Sequence, residues 1–294
     1  MRYEIVQQFS REARIHIGVP TYNGAKRLGW LLKSMEDTEG LPNSSIAFTV
    51  CNDGSPRKGE LETMKALATQ YSLNLLHHPQ NLGITASWND IVGFVQSEFT
   101  LLLNDDVVMT KDWLSHLIYF LENNECGCAA PNILHCVESD IPLLLRREHV
   151  TPREPNTKVP EPHRGVFDPE EGPLVCMAPL GSAFGFKLAS FYGVGGFDER
   201  MRITHNDSDF GTRLASKLRV PCYILPDRIW HLWSATFKEN PHLLANNRDR
   251  EAYIQAWGAH FDVTHPRYMS GMPPRVVKWI GQDGKKRERE QTVQ

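Results

Sequence analysis

The sequence predicts an α/β fold: a mostly parallel, Rossmann-like central sheet flanked by helices. Three observations predict it. Short β-rich runs alternate four times with amphipathic helical stretches, the pattern of consecutive βα units. A polar loop follows each of those runs. One run, 99–108, passes abruptly from Leu101-Leu102-Leu103 to Asn104-Asp105-Asp106, as a strand buried on both faces does where it leaves its sheet.

The elements follow in chain order. Arg14 to Val19 reads as a strand stopped by Pro20, with Thr21-Tyr22-Asn23-Gly24 as a polar loop. Lys26 to Glu36 sets Leu28, Leu31, Leu32 and Met35 at helical spacing. Ile46 to Val50 is a second strand running into Asn52-Asp53-Gly54-Ser55, and Glu60 to Tyr71 a helix with Leu61, Met64, Leu67 and Ala68 inward. Leu73 to His77 is a third strand before the loop 79–83, and Ile84, Trp88, Ile91, Val92 and Val95 mark the next helix. After the 99–108 strand, Trp113, Leu114, Leu117, Ile118 and Leu121 line a helix over 111–121. Parallel strands share a direction, so the four polar loops open on one edge of the sheet, where open α/β sheets bind ligands.

Regularity ends at His135. Seven prolines between Pro142 and Pro173 forbid long helices or central strands, and the segment's Arg146, Arg147, Arg153 and Arg164 read either as a solvated loop or as contacts for an anionic acceptor. Structure resumes over 174–186, followed by a turn at Gly193 to Glu199. Asn206 to Asp209 opens a helix with Phe210, Leu214 and Leu218 inward. Strands follow at 220–225 and 229–231, then a helix over Arg248 to Trp257. The tail, in which Lys285, Lys286, Arg287 and Arg289 alternate with acids, reads as a solvated end.

Composition bounds the rest. The 294 residues are 41% hydrophobic and 23% charged, with a formal net charge of −3, so no global field recruits nucleic acid or an anionic membrane. The first thirteen residues lack a signal-peptide core, and no apolar stretch is long enough to span a bilayer, which predicts a cytoplasmic location. Cys126, Cys128, His135 and Cys136 lie close together but match no common zinc spacing. Asp105 and Asp106 repel unless a cation or proton lies between them, so they read either as a divalent-metal site or as an acidic turn capping the next helix.

The order of motifs carries a resemblance. Pro20-Thr21-Tyr22-Asn23, Asn52-Asp53-Gly54-Ser55, Asn81-Leu82-Gly83 and Asn104-Asp105-Asp106 resemble the donor-binding half of family 2 glycosyltransferases with the GT-A fold. Gly195 to Glu199, the 206–213 stretch, His231 and Ala256-Trp257-Gly258 are similar to the acceptor half. The resemblance implies a donor half over 1–134, an acceptor-side Pro-rich loop over 135–173, a smaller acceptor and catalytic subregion over 174–264, and a tail over 265–294. It also implies an inverting transfer of a sugar from a nucleoside diphosphate sugar to an acceptor hydroxyl, with Mn²⁺ or Mg²⁺ on the diphosphate. Asp106 and His231 would be the metal ligands. Pro20, Thr21, Tyr22, Asn23, Asn81, Gly83, Asn104 and Asp105 would line the donor site, and Asp53 would accept from a pyrimidine imide, favouring UDP or dTDP. Asp207 would be the general base, with Asp209 the competing candidate. This chain has Asn104 and Asn206 where the family often has acids. The implied acceptor is a glycan or lipid-linked sugar, with a protein or a modified nucleic acid also open. Val276 to Ile280, beside basic residues, offers a weak membrane contact. The competing readings are a nucleotidyltransferase on a similar sheet and a non-catalytic glycan-binding module.

Overall fold

The computed structural model describes residues 2–36, 45–152, 172–176, 178, 181–232, 248–258 and 271–292. Twelve strands and eight helices appear among them. The first half runs β1 (Glu4–Gln7), β2 (Ile15–Thr21), α1 (Ala25–Met35), β3 (Ile46–Asp53), α2 (Glu60–Gln70), β4 (Asn74–His78), α3 (Ile84–Phe94), β5 (Phe99–Leu103), β6 (Val107–Val108) and α4 (Trp113–Asn123). The second half runs β7 (Ala129–His135), α5 (Ile141–Leu145), β8 (Leu174–Cys176), β9 (Ala183–Lys187), α6 (Leu188–Val194), α7 (Asn206–Arg213), β10 (Cys222–His231), α8 (Arg248–Trp257), β11 (Arg275–Ile280) and β12 (Lys286–Gln291).

One large sheet has the order β1-β4-β3-β2-β5-β9-β7-β10-β6, with β8 paired to β10. The four βα units supply its parallel centre, β4-β3-β2-β5. The chain builds outward from β2 on one side and then returns to lay β5 on the other. The crevice beyond the carboxyl ends of β2 and β5 is therefore a topological switch point.

Strand side chains alternate between two cores. Ile15, Ile17, Val19, Leu101 and Leu103 pack with α1, α2 and α4. Leu102, Cys51 and Leu76 face Trp88, Ile91 and Val92 of α3, with Phe184, Phe186, Phe191, Phe197 and Phe210 behind. The pairs Phe197–Phe210 (4.4 Å between centroids) and Phe186–Phe210 (5.4 Å) tie α7 to the sheet.

Two expectations are corrected, and two strands appear that the sequence did not mark. The polar N-terminus forms the edge strand β1, antiparallel to β4. The two strands expected at 220–225 and 229–231 are one strand, β10, with a bulge between Leu225 and Arg228 that absorbs Pro226. The segment 129–135 is a strand despite Pro131. The tail is a β11–β12 hairpin: Val277 and Trp279 are buried against the α4 side, and Asn124 accepts from Lys278 N and donates to Lys278 O (2.8 and 2.7 Å). Trp279 is thus taken from the membrane contact expected at 276–280. Within the Pro-rich stretch only 135–152 and 172–173 are described. Arg153, Arg164, Trp233 and Phe237 lie outside the described residues, and Arg147 donates to the carbonyls of Met109 and Ser34. Among the described residues no helix is long and apolar enough to cross a membrane.

His16, fully buried on β2, meets Thr49 Oγ1 at 2.9 Å, and burial pushes its pKa down to about 3. The unfolded ring titrates near 6.5, so this group's stability is present above that pH and lost as pH falls toward 3. The stability difference between wild type and His16→Gln, from urea unfolding at pH 7 and pH 5, is expected to shift by about 2 kcal/mol against the wild type at the lower pH.

Candidate active site

A cavity of about 350 Å³ opens at the carboxyl ends of β2, β3 and β5. Its wall brings together Pro20, Thr21, Tyr22, Asp53, Asn81, Gly83, Asn104, Asp105, Asp106, Asp207 and His231, residues 211 positions apart at the extremes. Asn23 and Asp209, two of the expected site residues, do not line it.

Asp53 closes β3 and organises one side of the cavity. Its Oδ1 accepts from Leu82 N (2.8 Å) and from the His78 ring (2.8 Å), and its Oδ2 accepts from Gly83 N (2.9 Å). Gly83 has φ +97°, and a Cβ there would press on the Arg202 carbonyl, so the loop needs glycine to bring its amide to Asp53. His78 is fully buried, with its other nitrogen 2.8 Å from Asp90, which Arg2 holds in turn at 2.6 Å. Burial alone would lower the His78 pKa, but the Asp53 and Asp90 carboxylates outweigh it and raise it to about 11. His78→Leu would leave the buried Asp53 and the half-buried Asp90 without their shared cation. A stability loss of about 3–5 kcal/mol is expected, read by denaturant titration.

Asn23 faces the neighbouring loop instead. At φ +51° it accepts from Arg57 N (3.2 Å) and donates its own amide to Ser55 Oγ (2.8 Å). It fixes the loop after β3 and does not line the cavity.

The acidic pair beyond β5 splits into two environments. Asp105 accepts from Thr21 Oγ1 (2.5 Å) and from Arg27 Nε (3.1 Å). Burial pushes its pKa up to about 6, Arg27 opposing and Asp106 adding to the rise. Asp106 is brought to His231 by strand pairing, because β6 runs antiparallel to β10 and sets Val107 opposite His231. Asp106 Oδ1 lies 3.1 Å from His231 Nε2, an ion-pair distance, yet it is buried and takes no well-aligned hydrogen bond. Burial alone would raise the Asp106 pKa, but the adjacent His231 and then Arg27 hold it below the usual carboxylate range. Asn104 Oδ1 is also buried without a hydrogen-bond partner among the described residues.

These two orphaned oxygens bear on a divalent cation. Adjacent ligands of a small octahedral ion, each about 2.1 Å away, stand about 3.0 Å apart. The Asp106–His231 separation of 3.1 Å matches that edge, so the residues present fit Mn²⁺ or Mg²⁺. Among the described residues no three His, Cys, Asp or Glu side chains converge on one ion. Among the described residues Asp106 and His231 would be the charged-pair donors, and other ligands would complete the shell. Cys126, Cys128, His135 and Cys136 form no such group among the described residues. Cys128 instead contacts Cys222 across β7 and β10, with Sγ atoms 3.2 Å apart.

Asp207 and Asp209 open α7 and part company. Asp207 lines the cavity and accepts from Gly181 N (2.8 Å) and Ser208 N (2.7 Å). Its neighbour Asn206 donates to Thr85 Oγ1 (2.9 Å), anchoring the turn. Asp209 is 1% exposed and bonded to Arg213 (2.7 Å) and to Trp257 Nε1 (2.9 Å). It ties α7 to α8 and does not line the cavity. Before Asn206, His205 adopts the left-handed conformation (φ +64°) and packs against Tyr253 with centroids 5.5 Å apart.

Sequence reasoning missed Arg27, His78, Gly181, Ser182 and the 203–205 turn. Arg27 had a signal: it lies four residues before Leu31 and seven before Ser34, on the buried edge of α1. The others had none.

A second, more open groove of about 570 Å³ adjoins the cavity, lined by Glu199, Arg200, Arg202 and residues of α8. Arg202 donates to the Leu82 and Asn81 carbonyls (3.0 and 3.1 Å), and Asn81 lines the first cavity.

The chain was compared with known proteins. It is 24% identical over 202 residues to a pre-mycofactocin glycosyltransferase of Mycobacterium tuberculosis, an alignment covering 68% of this chain and 38% of that protein. The chain thus spans well under half the length of this curated relative. Among solved structures it is similar to GalNAc-T7 with UDP, GalNAc and Mn²⁺ (TM-score 0.61, 12% identity, 82% of this chain and 47% of that one). It is also similar to the mannosyltransferase PcManGT from Pyrobaculum calidifontis with GDP-Man and Mn²⁺ (TM-score 0.57, 17% identity, 86% of this chain and 67% of that one). These likenesses show the GT-A fold. The profile of Glycosyl transferase family 2 matches residues 16–176, more than half of the sequence, and the chain belongs to that family.

Proposed function

We propose that this protein is a metal-dependent inverting glycosyltransferase that moves a sugar from a UDP- or dTDP-sugar to an acceptor hydroxyl, with Asp207 as general base. One observation carries the reading: a single cavity at the switch point holds both the Asp106–His231 pair and a separate carboxylate, Asp207. Leaving-group stabilisation and proton removal each need one of these.

Asp106 and His231 would hold Mn²⁺ or Mg²⁺, which when bound offsets the charge developing on the leaving diphosphate. The chain's own residues do the rest. Asp207 takes the proton from the acceptor hydroxyl as its oxygen bonds the anomeric carbon and the bond to the diphosphate oxygen breaks on the opposite face. The amides of Gly181 and Ser208 fix that carboxylate in place. Asn206 replaces the acid that often precedes the base, so the residue next to Asp207 carries no charge.

Nucleotide choice is supported by Asp53. A carboxylate has about four acceptor positions, and internal donors fill three here, leaving one on Oδ2. One position suits the single imide N–H of uracil or thymine better than the two donors on the guanine edge. The similar structures carry UDP in one case and GDP-Man in the other, so the fold alone does not choose. The groove beside Arg202 supports an acceptor rich in hydroxyls, a glycan or lipid-linked sugar, approaching past α8.

Incubating the protein with UDP-glucose and Mn²⁺ and following UDP release tests the reading. Slow release that stops on chelation is expected. A nucleotidyltransferase or a binding module would give none.

A further inference from the structure

Arg27 is a buried guanidinium that the proposed reaction leaves unused. It sits in the first turn of α1, 5% exposed, against an equally buried Asp105. Its Nε lies 3.1 Å from Asp105 Oδ1 and its Nη2 3.5 Å from Oδ2, and Nη2 also donates to the Tyr22 carbonyl at 3.3 Å. Gly24 completes the cluster: a Cβ there would overlap Asp105, Thr21 and Arg27 together. Desolvating a guanidinium costs several kcal/mol, so its retention calls for a reason.

The reason lies in the unequal treatment of two adjacent carboxylates. Both Asp105 oxygens are engaged, by Thr21 and by Arg27. Asp106 Oδ1 takes no aligned hydrogen bond and stands 3.1 Å from His231. Two free carboxylates at one site would draw a divalent ion between them and repel an incoming diphosphate. One free carboxylate leaves the ion a shell that the diphosphate must finish.

We propose that Arg27 is a positioning residue that withholds Asp105 from the metal, so that Asp106 and His231 alone hold the ion and Asp105 keeps one acceptor position for a donor hydroxyl. This rests on the metal-dependent reading above. It yields an unusual expectation: removing a cation from the site should tighten metal binding while weakening donor use.

The test is a titration of Mn²⁺ alone into each protein, with free Mn²⁺ read by electron paramagnetic resonance, beside the KM for UDP-sugar. Arg27→Met frees Asp105; Mn²⁺ affinity is expected to rise at least fivefold and KM to rise about tenfold. Arg27→Lys keeps the charge and is expected to restore wild-type Mn²⁺ affinity, with KM raised about threefold because the fork is lost. Asp105→Asn is expected to leave Mn²⁺ affinity within twofold, and Asp106→Asn to weaken it at least thirtyfold. Weaker or unchanged Mn²⁺ binding in Arg27→Met overturns the inference. So does a tenfold loss in Asp105→Asn, which also decides the matter should Arg27→Met not fold. If Asp106→Asn alone binds Mn²⁺ as the wild type does, the metal-dependent reading itself fails, and the inference falls with it.

Discussion

Replacing Asp207 by Asn should lower the rate of sugar transfer about 10²- to 10⁴-fold while leaving nucleotide-sugar affinity within about twofold. The amide keeps the size of the side chain, but its single oxygen can accept from only one of Gly181 N and Ser208 N, so one of the two contacts that fix the side chain is lost. Also lost is the ability to take a proton. Asp209→Asn serves as the contrast. It weakens the Arg213 and Trp257 contacts, so it should lower the thermal midpoint and leave the transfer rate per folded molecule nearly intact. A fully active Asp207→Asn would transfer the base to another residue.

Asp106→Ala should have the second largest effect, at least a hundredfold loss of kcat/KM in the presence of Mn²⁺. Asp106 Oδ1 takes no aligned hydrogen bond and faces His231, whereas both Asp105 oxygens are held by Thr21 and Arg27, and no group of three His, Cys, Asp or Glu side chains among the described residues could compensate. The loss should appear in both KM and kcat, because diphosphate binding and diphosphate departure use the same charge. His231→Ala is expected to follow it with a smaller effect, since it removes an imidazole and no carboxylate.

Much of the layout was legible because the four βα units bury both faces of the sheet, and burial leaves a strong hydrophobic period. Leu28, Leu31 and Leu32 in α1 and Ile91 and Val92 in α3 are all buried where the spacing put them. Elements that lack such a period escaped. Strand β1 is an exposed edge with polar residues, β7 starts with two alanines and a proline, and β12 alternates charges. In that hairpin the burial is carried by Val277 and Trp279 of β11, with Arg289 5.7 Å over the Trp279 ring. Charge alternation reads as solvation unless the partner strand is known.

The site divides in the same way. Strand ends reveal themselves as polar side chains following apolar runs, so Asp53, Asp105 and Asp106 could be picked out. Their partners could not, because Arg27 lies 78 residues from Asp105 and His78 lies 25 from Asp53. Only the paired strands bring them together. The choice between Asp207 and Asp209 depended on which way each side chain leaves one helical turn, and sequence spacing does not fix that.

The most direct test of the central claim, that this cavity grips a cation which in turn holds a diphosphate, is calorimetric titration of UDP into the wild-type protein and Asp106→Ala, each with Mn²⁺ and then with chelator. Binding that appears only with Mn²⁺ and only in the wild type is the expected result. UDP binding of equal strength in all four titrations would contradict it.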